Sequence, residues 1–336
     1  MSPLGGAISE PDTSIVIAPA ATVDVTVAIP VLNEEENLPE LYERLTKTLS
    51  ATGRSYEILF VDDGSTDRSA IVMKELHDKD PNVSVVRFST NFGQQAGCFA
   101  ALAHAKGAFT LLIDADLQVP PEEIPKFIAK FDEGYEAVYG VRRVRHDSLI
   151  RRLGSKVIWG MLARATGTRI EDAAGLFGFR RSVVDFLARC PERIRFITGL
   201  VAWLKVPTAY VEVDHQPRTR GESKYNLIKL VRYALDCVTS FSITPLRIAS
   251  ILGMLIALGG FVLAAWYLGL RFFSDVKPGF TTEIVAILIF SGVQLTTIGI
   301  LGEYIGRIYI EVKRRPHFIV REYHSSRGTQ APPRTA

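Results

Sequence analysis

Two charge-free apolar runs near the C-terminus, residues 248–270 and 284–302, set the strongest limit on what this chain can fold into. Each matches the roughly 20 residues that an α-helix needs to cross about 30 Å of hydrocarbon. A helix buried in a large soluble core rarely goes so far without a charge on one face. The connection 271–283 contains Pro278 and Gly279 and reads as a turn between antiparallel spans. Basic residues crowd the outer flanks: Lys224, Lys229, Arg232 and Arg247 before the pair, then Arg307, Lys313, Arg314, Arg315 and Arg321 after it. The connection holds only Arg271 and Lys277. Positive-inside bias therefore predicts a multi-pass protein of the inner membrane, with both ends and any attached domain on the cytoplasmic side.

These runs also account for a mean hydropathy of +0.16 in a chain whose 39 Lys+Arg nearly balance 36 Asp+Glu. A net charge of +3 gives no clustered basic surface of the kind nucleic acid requires, so a nucleic-acid partner is excluded. Cys98, Cys190 and Cys237 are too few and too scattered for a disulfide framework or a zinc site. Residues 1–23 have no basic stretch ahead of an apolar core and read as a flexible N-terminus rather than a signal peptide. Residues 307–336 read as a basic cytoplasmic tail, with 328–336 disordered. Just before the spans, Leu227, Leu230, Val231, Ala234, Leu235, Val238 and Phe241 recur at helical spacing. Proximity to the spans favours reading 226–245 as a helix in the membrane interface over a surface helix packing inward.

The first half alternates. Short apolar runs at 25–30, 57–61, 83–88 and 108–113 are each followed by a polar cluster, and the first three of these clusters lead into a helical pattern. That order predicts an α/β fold, a mostly parallel Rossmann-like sheet with helices on both faces. Ligands of such sheets bind beyond the carboxyl ends of the strands, where the clusters lie. Asp114-Ala115-Asp116 follows the fourth run directly, and two carboxylates with the amide of Gln118 suit a hard divalent cation held together with diphosphate oxygens. At the second strand end Asp63 is able to accept hydrogen bonds from a ribose or nucleobase, whereas Ser65 and Asp67 read as turn and capping residues. Asn33 and Glu34, seen alone, are ordinary helix-start residues.

The ordered series VAIPVLNEEENL, VDDGSTD, NFGQQAG and DADLQVPPEEIP resembles the GT-A catalytic domain of family 2 glycosyltransferases. The match continues through Arg142 and the loop Asp172-Ala173-Ala174-Gly175, then through RFITGL at 195–200 and RTRGESKY at 218–225. The later segments are similar to those of polyprenyl-phosphate glycosyltransferases, which include bactoprenol glucosyltransferases and dolichyl-phosphate mannose synthases. The resemblance implies a GT-A domain over 24–225, the interfacial helix at 226–245, a two-span hairpin at 246–306 and the tail at 307–336. It assigns Pro30, Asn33, Glu34, Val61, Asp63, Asp114 and Ala115 to the nucleotide, and Asp114, Asp116 and Gln118 to Mg²⁺ or Mn²⁺. Arg142, Arg218 and Lys224 would meet phosphates of donor or acceptor, and Asp172 and Asp116 would be catalytic. The sequence departs from the pattern at Leu176, Phe177 and Gly178, where related chains commonly carry an arginine.

The implied reaction is inverting transfer of a hexose, UDP-glucose being the favoured donor, onto a polyprenyl phosphate such as undecaprenyl phosphate, by a homo-oligomer of the tetramer type. The alternatives are a GDP-mannose-dependent mannose synthase, or a non-catalytic membrane adaptor that kept a nucleotide-binding fold. A polysaccharide-extending synthase is disfavoured, because none of Trp159, Trp203 or Trp266 follows an arginine as the usual acceptor motif requires.

Overall fold

The computed structural model describes residues 22–142, 173–190, 197–214, 244–273, 280–313 and 315–326. The predicted runs form strands β1 (Val23–Val31), β2 (Tyr56–Asp62), β3 (Val83–Phe88) and β4 (Gly107–Ile113). Between and after them come helices α1 (Leu38–Ala51), α2 (Ser69–Lys79), α3 (Gln94–His104) and α4 (Ile124–Asp132). Strands β5 (Ala137–Arg142), β6 (Ala173–Arg180) and β7 (Thr208–Val213) follow, with α5 (Arg181–Arg189) and α6 (Ile197–Leu204) between the last two. Two long helices, α7 (Thr244–Phe273) and α8 (Phe280–Val312), precede a last strand, β8 (Val320–His324).

All eight strands join one sheet in the order β7-β5-β6-β4-β1-β2-β3-β8. The pairings β1–β2, β1–β4, β2–β3 and β5–β7 are parallel, while β6 and β8 run against their neighbours, so the sheet is mostly parallel as the alternation predicts. Period-two alternation sends Val25, Val27 and Ile29 into one core layer and Ala28 into the other. The first layer takes the stripe Leu38, Leu41, Leu45 and Leu49 of α1 and Ile124, Phe127, Ile128 and Phe131 of α4. Burial of each such side chain stabilises the fold by about 1.5–3 kcal/mol. The second layer takes Phe99 and Leu102 of α3, Val184 and Leu187 of α5 and Leu200 of α6. Helices thus cover both faces, and functional groups are left to the strand ends.

Helices α7 and α8 stand apart from this core. Met254, Phe261 and Trp266 on α7 and Leu295 and Ile308 on α8 are all more than half exposed. The helices meet where Gly260 lets the ring of Phe290 approach: a Cβ at Gly260 would lie 2.9 Å from it. With six residues between them, helices touching at mid-length must run antiparallel. Among the described residues one stretch, Leu246–Leu263, is long and apolar enough to cross a membrane. The second expected span, 284–302, falls inside α8.

The C-terminal segment differs from expectation. Within the stretch expected to be a tail, α8 runs on to Val312 and β8 pairs antiparallel with β3, Val86 opposite Tyr323. Phe318 stacks on Phe88 at 5.0 Å between ring centroids. The chain therefore returns to its sheet after the hairpin. Most of the interfacial helix expected at 226–245 lies outside the described residues, as do 1–21 and 327–336.

Candidate active site

The carboxyl ends of β1, β2, β4 and β5 and the start of antiparallel β6 share one rim of the sheet. The loops there are tied to each other before any ligand is considered. Asn33, in a left-handed conformation with φ 57°, accepts from the backbone N–H of Thr66 at 2.8 Å and donates its own N–H to Ser65 Oγ at 3.1 Å. The Glu34 N–H donates to Ser69 Oγ at 2.9 Å, and the Glu34 carboxylate accepts from Asn37 Nδ2 at 2.6 Å. Glu35 accepts from the Arg68 N–H at 2.7 Å. The β1–α1 and β2–α2 loops are thereby latched together, Ser65 taking part in the turn as expected, while Asp67, expected as the helix cap, stands one residue before the N-cap Arg68 and accepts the Ser69 N–H at 2.9 Å.

Asp63 does more structural work than the sequence indicates. It is buried, and its two oxygens accept the N–H groups of Phe92 and Gly93 at 2.7 and 2.9 Å. Burial pushes its carboxyl up from the ordinary value, and the two amides oppose that shift. The residue thus fixes the loop before α3, a role no local signal announces because its partners come from the next βα unit.

Pro30 and Val61 lie opposite each other on β1 and β2, one residue short of Val31 and Asp62 at the rim. Across β1, Asp114 and Asp116 leave the end of β4 in a turn that places Leu117 at φ 58° and lets Asp116 Oδ1 accept the Gln118 N–H at 3.1 Å. A left-handed non-glycine residue costs about 1–2 kcal/mol, and such strain gathers at working sites. Asp116 and Ala115 are buried, while Asp114 is partly open. Asp114 Oδ1 accepts from Gln94 Nε2 at 2.9 Å. Its Oδ2 faces Gly175, where φ is 82° and an added Cβ would stand 2.8 Å from that oxygen. Gly175 is required twice, for its backbone conformation and for this close approach. β6, whose Leu176 pairs with Ile113, therefore brings Gly175 to Asp114.

The described part of the site contains no group of three or more His, Cys, Asp or Glu side chains able to hold a metal unaided. Two hard carboxylates two residues apart, Asp114 partly open at the rim, still fit Mg²⁺ or Mn²⁺ when a ligand completes the shell. Gln118, expected to contribute its side-chain amide, is engaged here through its backbone N–H. Arg142 ends β5 at the same rim, and its side chain, like Asp172, Arg218 and Lys224, lies outside the described residues. The departure at 176–178 also has a packing cause. Leu176 is buried, and a Cβ at Gly178 would stand 2.5 Å from Leu111 and 2.9 Å from Phe131.

The model of "Glycosyl transferase family 2" matches residues 26–184, and that of the "GtrB C-terminal hairpin" matches 244–308. The undecaprenyl-phosphate 4-deoxy-4-formamido-L-arabinose transferases of Salmonella paratyphi B and Salmonella newport are 40% identical over 305 residues, covering 89% of this chain and 93% of theirs. Among solved structures, Mycobacterium tuberculosis glucosyl-3-phosphoglycerate synthase with Mn²⁺ and UDP-glucose aligns over 66% of this chain and 79% of its own at 18% identity, TM-score 0.49. The S. aureus TarS 1–349 complex with UDP aligns over 56% of this chain and 60% of its own at 19% identity, TM-score 0.38.

Proposed function

The chain belongs to glycosyl transferase family 2, and on that premise we propose that it moves a sugar from a nucleotide sugar onto a polyprenyl phosphate at the cytoplasmic face of the inner membrane. The observation that carries this reading is the pair Asp114 and Asp116 at the sheet rim, closed in by Gly175 of the loop strand, in a chain that also carries an apolar hairpin.

Asp114 and Asp116 would hold Mg²⁺ or Mn²⁺, with Gln118 beside them. When bound, that cation offsets the negative charge that develops on the leaving diphosphate. Asn33, Glu34, Pro30, Val61, Asp63 and Ala115 frame the nucleotide side of the rim. For Asn33 and Asp63 this is a shaping role as much as a contact role, since both side chains hold the loops. Arg142, Arg218 and Lys224 meet phosphates of donor and acceptor. The acceptor phosphate, with a second ionisation near pH ~6, is already an anionic nucleophile at neutral pH. Asp172 therefore orients the acceptor or the cation rather than acting as a strong base. In-line attack inverts the anomeric carbon and gives a β-linked product from an α-linked donor. A lipid acceptor cannot leave the bilayer, which explains why the domain carries a hairpin that holds it at the headgroups.

UDP-glucose is the favoured donor, with GDP-mannose the alternative. A second reading takes its support from the 40% identity to the Salmonella enzymes, and makes the donated sugar a 4-deoxy-4-formamido-L-arabinose. Purified full chain in nanodiscs with undecaprenyl phosphate, offered each nucleotide sugar in turn, decides among them. Formation of a glycolipid from one donor is expected; nucleotide release from every donor with no glycolipid would sink the transferase reading.

A further inference from the structure

Gln94 opens α3 and is exposed, and nothing in the family motif reading gave it a task. Its side-chain amide nevertheless donates to Asp114 Oδ1 at 2.9 Å. The contact has one workable polarity, because the amide oxygen turned toward a carboxylate would set two acceptors against each other. We propose that Gln94 is a positioning residue for the metal centre, holding the Asp114 carboxylate in one orientation at the rim, with Oδ2 against Gly175. The inference rests on the reading of Asp114 and Asp116 as metal ligands.

Three features set Gln94 apart from a chance surface contact. The loop ahead of it is clamped, since Phe92 and Gly93 donate to both oxygens of buried Asp63. The helix that carries it is seated on the sheet through buried Phe99, Ala100 and Leu102, and a Cβ on Gly97 would stand 3.2 Å from Pro30. The donor is a neutral amide. A lysine or arginine in the same place would also orient Asp114, but its charge would compete with a cation for the carboxylate, whereas a carboxamide fixes direction without adding a positive charge. Ligand orientation by an outer hydrogen-bond donor on a rigid element is a recurring feature of metal centres, and loss of such a donor costs about 10–100-fold in metal affinity.

The test is Mn²⁺ binding to the purified full chain, read by loss of the electron paramagnetic resonance signal of free Mn²⁺, beside thermal melting of the same samples. Gln94→Ala is expected to weaken Mn²⁺ binding about tenfold with an unchanged melting temperature, while Gln95→Ala, one position along, binds as the wild type does. In turnover assays the Gln94→Ala deficit should shrink as Mn²⁺ is raised to saturation. Wild-type Mn²⁺ affinity in Gln94→Ala overturns the inference. Asp116→Ala separates this from the larger reading. If Asp116→Ala loses Mn²⁺ and Gln94→Ala keeps it, only the role of Gln94 falls; if neither alters Mn²⁺ binding, the metal site itself is misplaced.

Discussion

Opposite rims of the sheet each hold a carboxylate centre, a single glutamate at one and an aspartate pair at the other, and the two are built on different terms. At the amino ends of the strands, buried Glu57 accepts from Thr26 Oγ1 at 2.9 Å, Ser84 Oγ at 2.6 Å, Ser326 Oγ at 3.1 Å and the Lys106 N–H at 3.2 Å. The Lys106 ammonium lies 3.4 Å from it and donates onward to Ser325 Oγ at 2.6 Å and the Ser326 carbonyl at 3.0 Å. That cluster contains its own cation, is closed to water and fastens the segment after β8. At the carboxyl ends, Asp114 is partly open and both aspartates are met by amides, those of Gln94 and Gln118. Glu57 is enclosed with its own counter-ion and serves the fold, whereas Asp114 stands partly open at the rim, where a ligand can reach it.

This division can be broken in several places. The largest expected effect is on stability at the closed rim: Glu57→Ala strands the buried Lys106 charge and should cost about 3–5 kcal/mol in chemical denaturation. The paired change Glu57→Leu with Lys106→Met should recover most of that loss, because no charge is left uncompensated. Next comes the open rim, where Asp116→Asn should lower turnover about 10²–10³-fold while the melting temperature stays near that of the wild type. A large melting loss from Asp116→Asn would blur the distinction between the rims. Gly175→Ala should show both kinds of effect on a smaller scale. Its φ of 82° makes a Cβ cost about 1–2 kcal/mol, and the contact with Asp114 Oδ2 should lower turnover as well.

The smallest effect is a pH dependence at the closed rim. His104 sits against Tyr323 of β8, and its Nε2 is buried with no partner among the described residues. Burial holds its pKa below the ordinary imidazole value, with the Ala100 carbonyl opposing the shift. The folded state therefore prefers neutral His104. Stability on this account is fully present above the unfolded pKa near 6.5, and it falls as the pH drops below that value because the unfolded chain takes up the proton first. Melting between pH 7.5 and 5.5 should show a shallower decline in His104→Phe than in the wild type.

What the sequence discloses follows the range of the interactions concerned. The β1–β4 alternation, the aspartate pair directly after the fourth apolar run and the long apolar runs are local patterns, and the strands and long helices lie over them. Residues 320–324 read as part of a basic tail because what makes them a strand is β3, more than two hundred residues earlier in the chain. Glu57, Ser84 and Lys106 look like ordinary polar residues beside strands until Ser326 closes over them. The sequence marks Asp63 as a candidate but not as the anchor of the Phe92–Gly93 amides, and the bond from Gln94 to Asp114 joins the ends of two different strand–helix units. A positive-φ glycine one strand away from a carboxylate leaves a single faint trace in sequence, the glycine itself.

The central claim is that the carboxyl rim, and not the amino rim, is the metal centre. Crystals of the full chain grown with Mn²⁺ and a nucleoside diphosphate, measured at the manganese absorption edge, test it most directly. The account predicts one anomalous peak within coordination distance of Asp114 and Asp116 and none at Glu57. A peak at another carboxylate cluster, or full occupancy retained in Asp116→Asn, would contradict it.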